Sequence, residues 1–300
     1  MEKTQSYHLL KINKLIHHLL EAFTRSGLEQ YSTGIQRYSF ASPDYTICII
    51  LPEDRRKAIP VLFSLFLFLT ENKGLENSFF LPSDYLITIR GVKDSRKAKQ
   101  GIEKALECLS LVQISESSKE ANISDRLISG WEWFGWKKQM LHIIIPESVF
   151  NRMHAGRNTA PVYLPLLQVN MKHCPNVMSI GIYLLIQKNI QTGLNGKHED
   201  IFSVRKLLNH SGIVLDREQL GDTTNRNAQQ HIIRPLEESL NMLVQIGMLS
   251  GWNYTQTGIM HCSDYCEFAT ASISVSWKCY PKIRKNMHEN TDPKKSQYRP

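Results

Sequence analysis

The feature that most constrains the fold is a pattern that occurs twice along the chain. The segment IEKALECL at 102–109 aligns with LEESLNML at 236–243, with apolar residues at four matching positions and Ala105 opposite the similarly small Ser239. Eight residues alone would align between many amphipathic helices. Here each segment also follows a short helical pattern and a glycine turn, and each precedes a strand and a tryptophan-bearing hairpin. This shared order predicts a duplicated supersecondary unit.

The order of elements in each copy indicates a winged helix. Two helices joined by a turn form a helix-turn-helix, and the second of them can lie in the major groove of DNA. The expected fold class is therefore α+β, mostly α, with two tandem winged-helix domains. A 300-residue chain with 42% hydrophobic residues can bury two cores of about 100–150 residues each. The expected divisions are an N-terminal helix and strand extension at 1–50, the first domain at 51–150, the second domain at 151–281, and a basic, disordered tail at 282–300.

Apolar periodicity and turn residues predict the individual elements. Residues 150–174 are expected to be irregular. The predicted helices lie at 5–25, 56–72, from about Ser83 to Ile89, from Asp94 onwards, at 177–191, at 201–212 and at 225–246. The predicted strands and hairpin arms lie at 45–52, 110–115, 127–136, 139–146, 247–254 and 269–280.

The third helix of the first copy has two different faces. At about 100° per residue, its apolar residues fall within about 60° of Ile102, whereas Lys93, Lys97, Gln100 and Lys104 fall at about 160–220°. A recognition helix needs this division, because one face holds the core while the other meets an anion. A merely solvated lysine face is the alternative, and the helix-turn-helix position favours DNA. The predicted DNA-binding residues of this copy are Lys93, Arg96, Lys97, Gln100 and Lys104.

The second copy presents different chemistry. Asn, Gln and Arg side chains offer the bidentate geometry that reads base edges, whereas lysines are point charges suited to phosphates. We therefore expect the second domain to read sequence and the first to grip the backbone. Pro235 either kinks the helix or marks the first turn of a new one. The predicted DNA-binding residues of this copy are Arg226, Asn227, Gln230, His231 and Arg234.

Charge and cysteine usage restrict the class of protein. Lys and Arg number 36 against 28 Asp and Glu, a net charge of +8, which suits a polyanionic partner. The six scattered cysteines fit free thiols in a reducing cytoplasm. The longest apolar run, at 59–70, is shorter than the roughly 20 residues that cross a bilayer. We therefore expect a cytoplasmic protein with no membrane partner.

The sequence contains no recognisable catalytic motif. The segment GLNGKH at 193–198 has the wrong spacing for a P-loop, and no His-x-His pair or pair of carboxylates suits metal-dependent nuclease chemistry. Cys262, Cys266 and Cys279 could hold zinc, but buried thiols are the preferred interpretation. We therefore expect no enzyme activity, no cofactor and no metal. The five tryptophans are expected to pack the hairpins against helices.

The chain resembles the replication initiators of iteron-type plasmids. The resemblance lies in the architecture over about residues 50–280 and in RPLEESLNMLVQIGMLSGWNY at 234–254, which is similar to the second-domain helix and wing of such proteins. It implies a protein that binds double-stranded DNA at origin repeats, helps to open the duplex, recruits the host helicase or initiator proteins, and forms dimers that repress their own gene. The resemblance assigns no counterpart to residues 1–50.

Three alternatives remain open from the sequence. A winged-helix transcriptional regulator or mobile-element accessory protein would bind one operator and melt nothing. An enzyme on an unrecognised fold would lose a DNA-cleaving activity when a single carboxylate is replaced. A protein-interaction scaffold would bind no duplex at any salt concentration.

Overall fold

The computed structural model describes residues 7–72, 74–92, 94–118, 122–155, 158–170, 173–193, 200–211, 213, 229–256, 265–278 and 280. Within these residues the chain forms helices and four antiparallel sheets, which confirms the α+β class. A continuous cluster of buried apolar residues runs through the structure.

The first repeated unit combines three helices with a three-stranded sheet. Its first helix is almost wholly buried, which confirms that the apolar run at 59–70 is a core helix. The strand between the first two helices pairs with the hairpin, so that the sheet order is β5-β9-β8. The elements are α2 (Ile59–Glu71), β5 (Ser78–Pro82), α3 (Ser83–Arg90), α4 (Ser95–Ser110), β8 (Gly130–Phe134) and β9 (Met140–Ile144).

The second repeated unit has the same element order and the same strand order, β11-β13-β12. Its third helix follows a π-helical segment, Gln229–Ile233, and its hairpin carries an additional short helix, α10 (Tyr265–Thr270). The remaining elements are α7 (Val177–Gly193), β11 (Ile201–Ser203), α8 (Val204–Ser211), α9 (Arg234–Gln245), β12 (Leu249–Tyr254) and β13 (Ser272–Trp277).

The two units also agree in strand register. Leu141 in β9 lies between Leu81 and Trp133, just as Ile273 in β13 lies between Phe202 and Tyr254. The N–H that begins the second helix of each unit donates to the residue before the last strand: Ser83 to Gln139 O at 2.8 Å, and Val204 to Ala271 O at 2.9 Å. The similarity therefore extends from element order to individual hydrogen bonds.

A five-stranded antiparallel sheet, in the order β2-β3-β4-β6-β7, lies outside both repeated units. The β6–β7 hairpin leaves the first unit after α4 and pairs with a strand from the N-terminal part of the chain. Its strands are β2 (Glu29–Ser32), β3 (Ile35–Ala41), β4 (Tyr45–Pro52), β6 (Gln113–Ser118) and β7 (Asn122–Arg126).

The N-terminal helix α1 (Lys14–Thr24) connects the two units. Arg55, in the 3-10 turn Arg55–Ala58 before α2, donates to Ala22 O at 2.8 Å and to Arg25 O at 2.7 Å, so it caps the carbonyl end of α1. On the other side, the Ser26 N–H donates to Asn209 O at the end of α8. The same helix end is therefore bound by groups that belong to opposite halves of the molecule.

The expected helix at 5–25 is wrong in its first part. Residues Tyr7–Ile12 form strand β1, which pairs with β10 (Asn158–Tyr163), and α1 begins only after Asn13. The Asn13 side chain accepts from the Ile16 N–H at 2.9 Å and donates to carbonyls at 152, 153 and 155. Because the strand's partner is some 150 residues away, local periodicity could not reveal it.

The expected irregular region at 150–174 is also wrong. It contains the end of α5 (Glu147–His154), all of β10 and the short helix α6 (Leu164–Leu167). The expected strand at 110–115 begins late, because α4 continues to Ser110 and β6 starts at Gln113. The expected helix at 201–212 begins with β11, since its first residues pair with β13.

Candidate nucleic-acid interface

Helix α4 is positioned by its own sequence. Gly91 ends α3 with a φ of +63°, a left-handed conformation that glycine adopts without strain. Asp94 then caps α4, and its carboxylate accepts from the Arg96 and Lys97 N–H groups at 3.0 and 3.1 Å. The buried residues of α4 are Ala98, Ile102, Ala105, Leu106 and Leu109.

The predicted basic face of α4 is exposed to solvent. Arg96, Lys97, Gln100 and Lys104 are all exposed, and Lys97 lies 3.8 Å from the carboxylate of Asp94. Lys93 lies outside the described residues. The helix therefore presents its cations away from the core, as a phosphate-binding surface requires.

The β8–β9 hairpin is held against α4 by side-chain contacts. Glu103 accepts from Trp133 Nε1 at 2.8 Å and from Lys138 Nζ at 2.7 Å. The hydrogen bond from Lys138 lowers the pKa of Glu103, and the bond from Trp133 lowers it further. Lys99 Nζ donates to the Lys137 carbonyl at 2.6 Å. Helix and hairpin thus form one continuous surface, and we call the contact of Glu103 with Trp133 and Lys138 the helix–hairpin contact.

The hairpin tip, residues 135–139, adds groups that the sequence did not single out. Gly135, Lys137 and Lys138 have φ values of +80°, +58° and +56°. A positive φ is unusual for lysine, costing about 1–2 kcal/mol per residue. Trp136 is 81% exposed, so the expectation that every tryptophan packs against a helix is wrong for this one. The sequence signal for this surface is the group of lysines at 99, 137 and 138, which lie in two short segments.

The second unit presents its predicted residues differently. Pro235 lies in the first turn of α9, directly after the π-helical segment. A π turn bonds i to i+5 and widens the helix, so residues before and after it do not lie on one continuous α-helical face. Gln230, His231 and Arg234 are all exposed, and Arg234 Nε donates to Glu238 Oε1 at 2.8 Å. Arg226 and Asn227 lie outside the described residues.

The second unit contains an equivalent of the helix–hairpin contact, formed by different residues. Tyr254 occupies the register position of Trp133, and its hydroxyl donates to Glu237 Oε1 at 2.9 Å. Glu237 matches Glu103 in the alignment of the two helices. Trp252 Nε1 also donates to Asn241 Oδ1 at 2.9 Å. Sequence reasoning missed this pairing, although SGWEW at 129–133 and SGWNY at 250–254 carry the signal.

Helix α1 carries a group of residues with the spacing of metal ligands: His17, His18 and Glu21. Both nitrogens of His18 are already hydrogen-bonded, Nδ1 to the Tyr38 hydroxyl and Nε2 to the Tyr45 hydroxyl, each at 2.8 Å. A metal at His18 would have to displace one of these tyrosines. His18 and Glu21 are therefore better described as members of a hydrogen-bond network with Tyr38 and Tyr45.

A second trio, Ser78, His142 and Glu132, has the sequence of partners found in a hydrolytic triad but not the enclosed surroundings. Ser78 Oγ lies 2.7 Å from His142 Nε2, and His142 Nδ1 lies 3.2 Å from Glu132 Oε1. These residues stand on neighbouring strands of an open sheet face, where Glu132 is 65% exposed and the Phe80 ring stacks on His142 at 4.7 Å. A catalytic site needs donors for the developing oxyanion and exclusion of water, and an open face supplies no such enclosure.

Two expectations concern other parts of the chain. Cys262 and Cys279 lie outside the described residues. The hypothesis of a cysteine zinc site therefore concerns residues outside the described part of the chain. Among the described helices, none is long and apolar enough to cross a membrane.

Comparison with known proteins gives a structural likeness and no family. No family model matches the chain, and no curated protein matches it. A crystal structure of RctB domains 2 and 3 is similar with a TM-score of 0.49 and 12% identity, over 87% of this chain and 97% of that chain. Crystals of selenomethionine derivatives of the same domains give 0.45 and 12%, over 74% and 83%. At these values the likeness carries no argument about function.

Proposed function

We propose that this chain is a sequence-specific double-stranded DNA-binding protein whose two repeated units are winged helices. The observation that carries the proposal is the exposed basic face of α4, joined through the helix–hairpin contact to a hairpin with further lysines. In a helix-turn-helix this is the position from which a helix enters the major groove. The repeated register of the second unit supports a second DNA-binding surface in the same chain.

We further propose that the protein is a replication initiator of a plasmid or mobile element. The sequence resemblance to iteron-type initiators supports this role, and two DNA-binding units in one chain suit directly repeated sites. Its partners would be origin DNA, host replication proteins and a second copy of the chain, and it would bind DNA without cutting it. A transcriptional regulator is the alternative, favoured if the preferred site is a single palindrome.

The first test is binding to DNA that flanks the protein's own gene, measured by fluorescence anisotropy against random duplex at several salt concentrations. We expect one fragment with direct repeats to bind a thousandfold or more tighter than random duplex. Salt-sensitive binding without preference would contradict the initiator role and leave a nonspecific DNA binder. No binding at low salt would overturn the proposal.

Lysine variants test the basic face in the same titrations. We expect Lys97→Ala and Lys104→Ala to weaken binding to every sequence, and each to lower the slope of log affinity against log salt by about one, because each removes one phosphate contact. Lys14→Ala is the matched control, since Lys14 is an exposed lysine on α1, outside both units. An equal change of slope in the control would show that only net charge matters.

Arg234→Ala tests whether the second unit reads base edges while the first unit binds phosphates. If Arg234 leaves Glu238 to make a bidentate contact with a base, its removal should cost about 1–3 kcal/mol of discrimination at one base pair. Binding to random duplex should change much less. Equal losses on the preferred fragment and on random duplex would show that Arg234 contacts only the backbone.

A further inference from the structure

Trp136 differs from the tryptophans that pack in the hairpins. Trp133 and Trp252 donate hydrogen bonds to α4 and α9 side chains, and Trp131 and Trp277 are half-buried. Trp136 is 81% exposed and makes no hydrogen bond or ring contact to any residue that the structure describes. A large aromatic side chain held in solvent buries little apolar area for the fold, and its ring faces are open to a ligand.

A hydrogen-bonded turn holds the backbone of Trp136 at the hairpin tip. The Lys138 N–H donates to the Gly135 carbonyl at 3.2 Å, which closes a turn with Trp136 and Lys137 at its centre. The bond from Lys99 to the Lys137 carbonyl and the pairing of Lys138 with Glu103 fix the far side of this turn to α4. The strained lysine conformations are thus supported by tertiary contacts, as is typical of functional sites.

The charges around the tip indicate the chemistry of the ligand. The tip sequence GWKKQ carries two lysines and no acid, and Lys99 reaches it from α4. Glu103 balances Lys138, while Lys137 stays exposed. A ligand that offers a flat aromatic face next to negative charge would satisfy both features, and a nucleotide base beside its phosphate offers this combination.

We propose that Trp136 stacks on an unpaired base, so that the hairpin tip of the first unit binds opened DNA in preference to closed duplex. In an intact duplex every base face is covered by its neighbours, and a tryptophan can stack only where a base is unpaired or a step is unstacked. The proposal rests on the proposed DNA-binding function and deepens it. Helix α4 binds the phosphates, and the hairpin tip binds an unpaired base of the opened duplex.

The test compares two duplexes of identical length and flanking sequence, one fully paired and one with a central run of mismatches. The full-length protein, Trp136→Ala and Trp136→Phe are titrated with each by fluorescence anisotropy. We expect the unaltered protein to bind the mismatched duplex about tenfold tighter, in line with stacking on one base. Trp136→Ala should lose this preference and keep its affinity for the paired duplex, and Trp136→Phe should retain part of the preference.

Tryptophan emission gives a second readout. Mismatched DNA should quench the emission of the unaltered protein more than that of Trp136→Phe. Circular dichroism of the variants checks the fold, which an exposed side chain should not affect. The stacking proposal is overturned if Trp136→Ala binds the mismatched duplex as well as the unaltered protein does, or loses equal affinity on both duplexes.

The two proposals can fail separately. Duplex binding that depends on Lys97 and Lys104, with no effect of Trp136→Ala on mismatched DNA, would uphold the duplex interface and overturn stacking. Binding of mismatched DNA alone, lost in Trp136→Ala, would uphold stacking and overturn recognition of the closed duplex.

Discussion

His18 illustrates how a single buried residue constrains its neighbours. Tyr38 donates its hydroxyl proton to Glu21 Oε2 at 2.8 Å, so its oxygen must accept from His18 Nδ1. In the neutral imidazole Nε2 then lacks a proton and accepts from the Tyr45 hydroxyl. The network thus holds His18 as the neutral Nδ1–H tautomer, which agrees with a pKa lowered to about 4, first by burial and then by the charges of His17 and Lys14.

This lowered pKa predicts a loss of stability in acid. Between pH 6.5 and about 4 the unfolded chain binds a proton at residue 18 and the folded chain does not, so the free energy of unfolding falls as the pH falls. We expect His18 to account for about 2–3 kcal/mol of that loss. Urea unfolding at pH 7 and pH 4.5 should show a smaller loss for His18→Gln, whose amide can still meet both tyrosines. His231→Gln, at an exposed position, should match the unaltered protein, and an unchanged His18→Gln profile would contradict the prediction.

At the scale of elements, the helix–hairpin contact joins α4 and the β8–β9 hairpin into one surface. Glu103 is the second residue of the aligned octapeptide, and Trp133 is two residues past the first hairpin tryptophan. Helical periodicity predicted the buried face of α4 correctly, because that face depends on spacing along one segment. It could not place Glu103 beside Trp133, because that contact depends on how the hairpin folds back over the helix.

The contact predicts a graded loss of stability. Glu103→Ala removes the acceptor of Trp133 and the partner of Lys138, and should lower the free energy of unfolding by about 1–2 kcal/mol. Glu103→Gln keeps an acceptor for the indole and should lose less. Urea unfolding followed by circular dichroism measures both, with Glu107→Ala as control at an exposed position of the same helix. Equal effects at 103 and 107 would show that the contact contributes nothing.

At the scale of the whole molecule, the buried guanidinium of Arg55 fastens α1 to the first unit. Arg55 is 3% exposed and, besides the two α1 carbonyls, donates to Gln36 Oε1 at 2.6 Å and to Glu53 O at 3.3 Å. Burial, with a smaller contribution from the neighbouring Arg56, lowers the pKa of Arg55 to about 10, so it remains charged at neutral pH. Its hydrogen bonds thus connect α1, the five-stranded sheet and the turn before α2.

Arg55→Met should therefore be strongly destabilising. It leaves several carbonyl groups without their donor, and we expect a loss of about 2–4 kcal/mol in the free energy of unfolding. Arg126→Met, at an exposed position on β7, should change it by less than about 0.5 kcal/mol. Differential scanning calorimetry compares the two. Similar unfolding temperatures for both variants would show that α1 is held by apolar packing alone.

The amino-acid sequence by itself determined the parts of this protein that depend on near neighbours: the apolar helix α2, the apolar face of α4, the cap at Asp94, the turn at Gly91 and the two tryptophan hairpins. Tertiary structure alone decided the β1–β10 pair, the five-stranded sheet, the exposure of Trp136 and the joining of α4 to its hairpin. The physical reason is that helix periodicity and turn conformation are set within a few residues, whereas strand partners and side-chain burial are set by segments far apart in the chain.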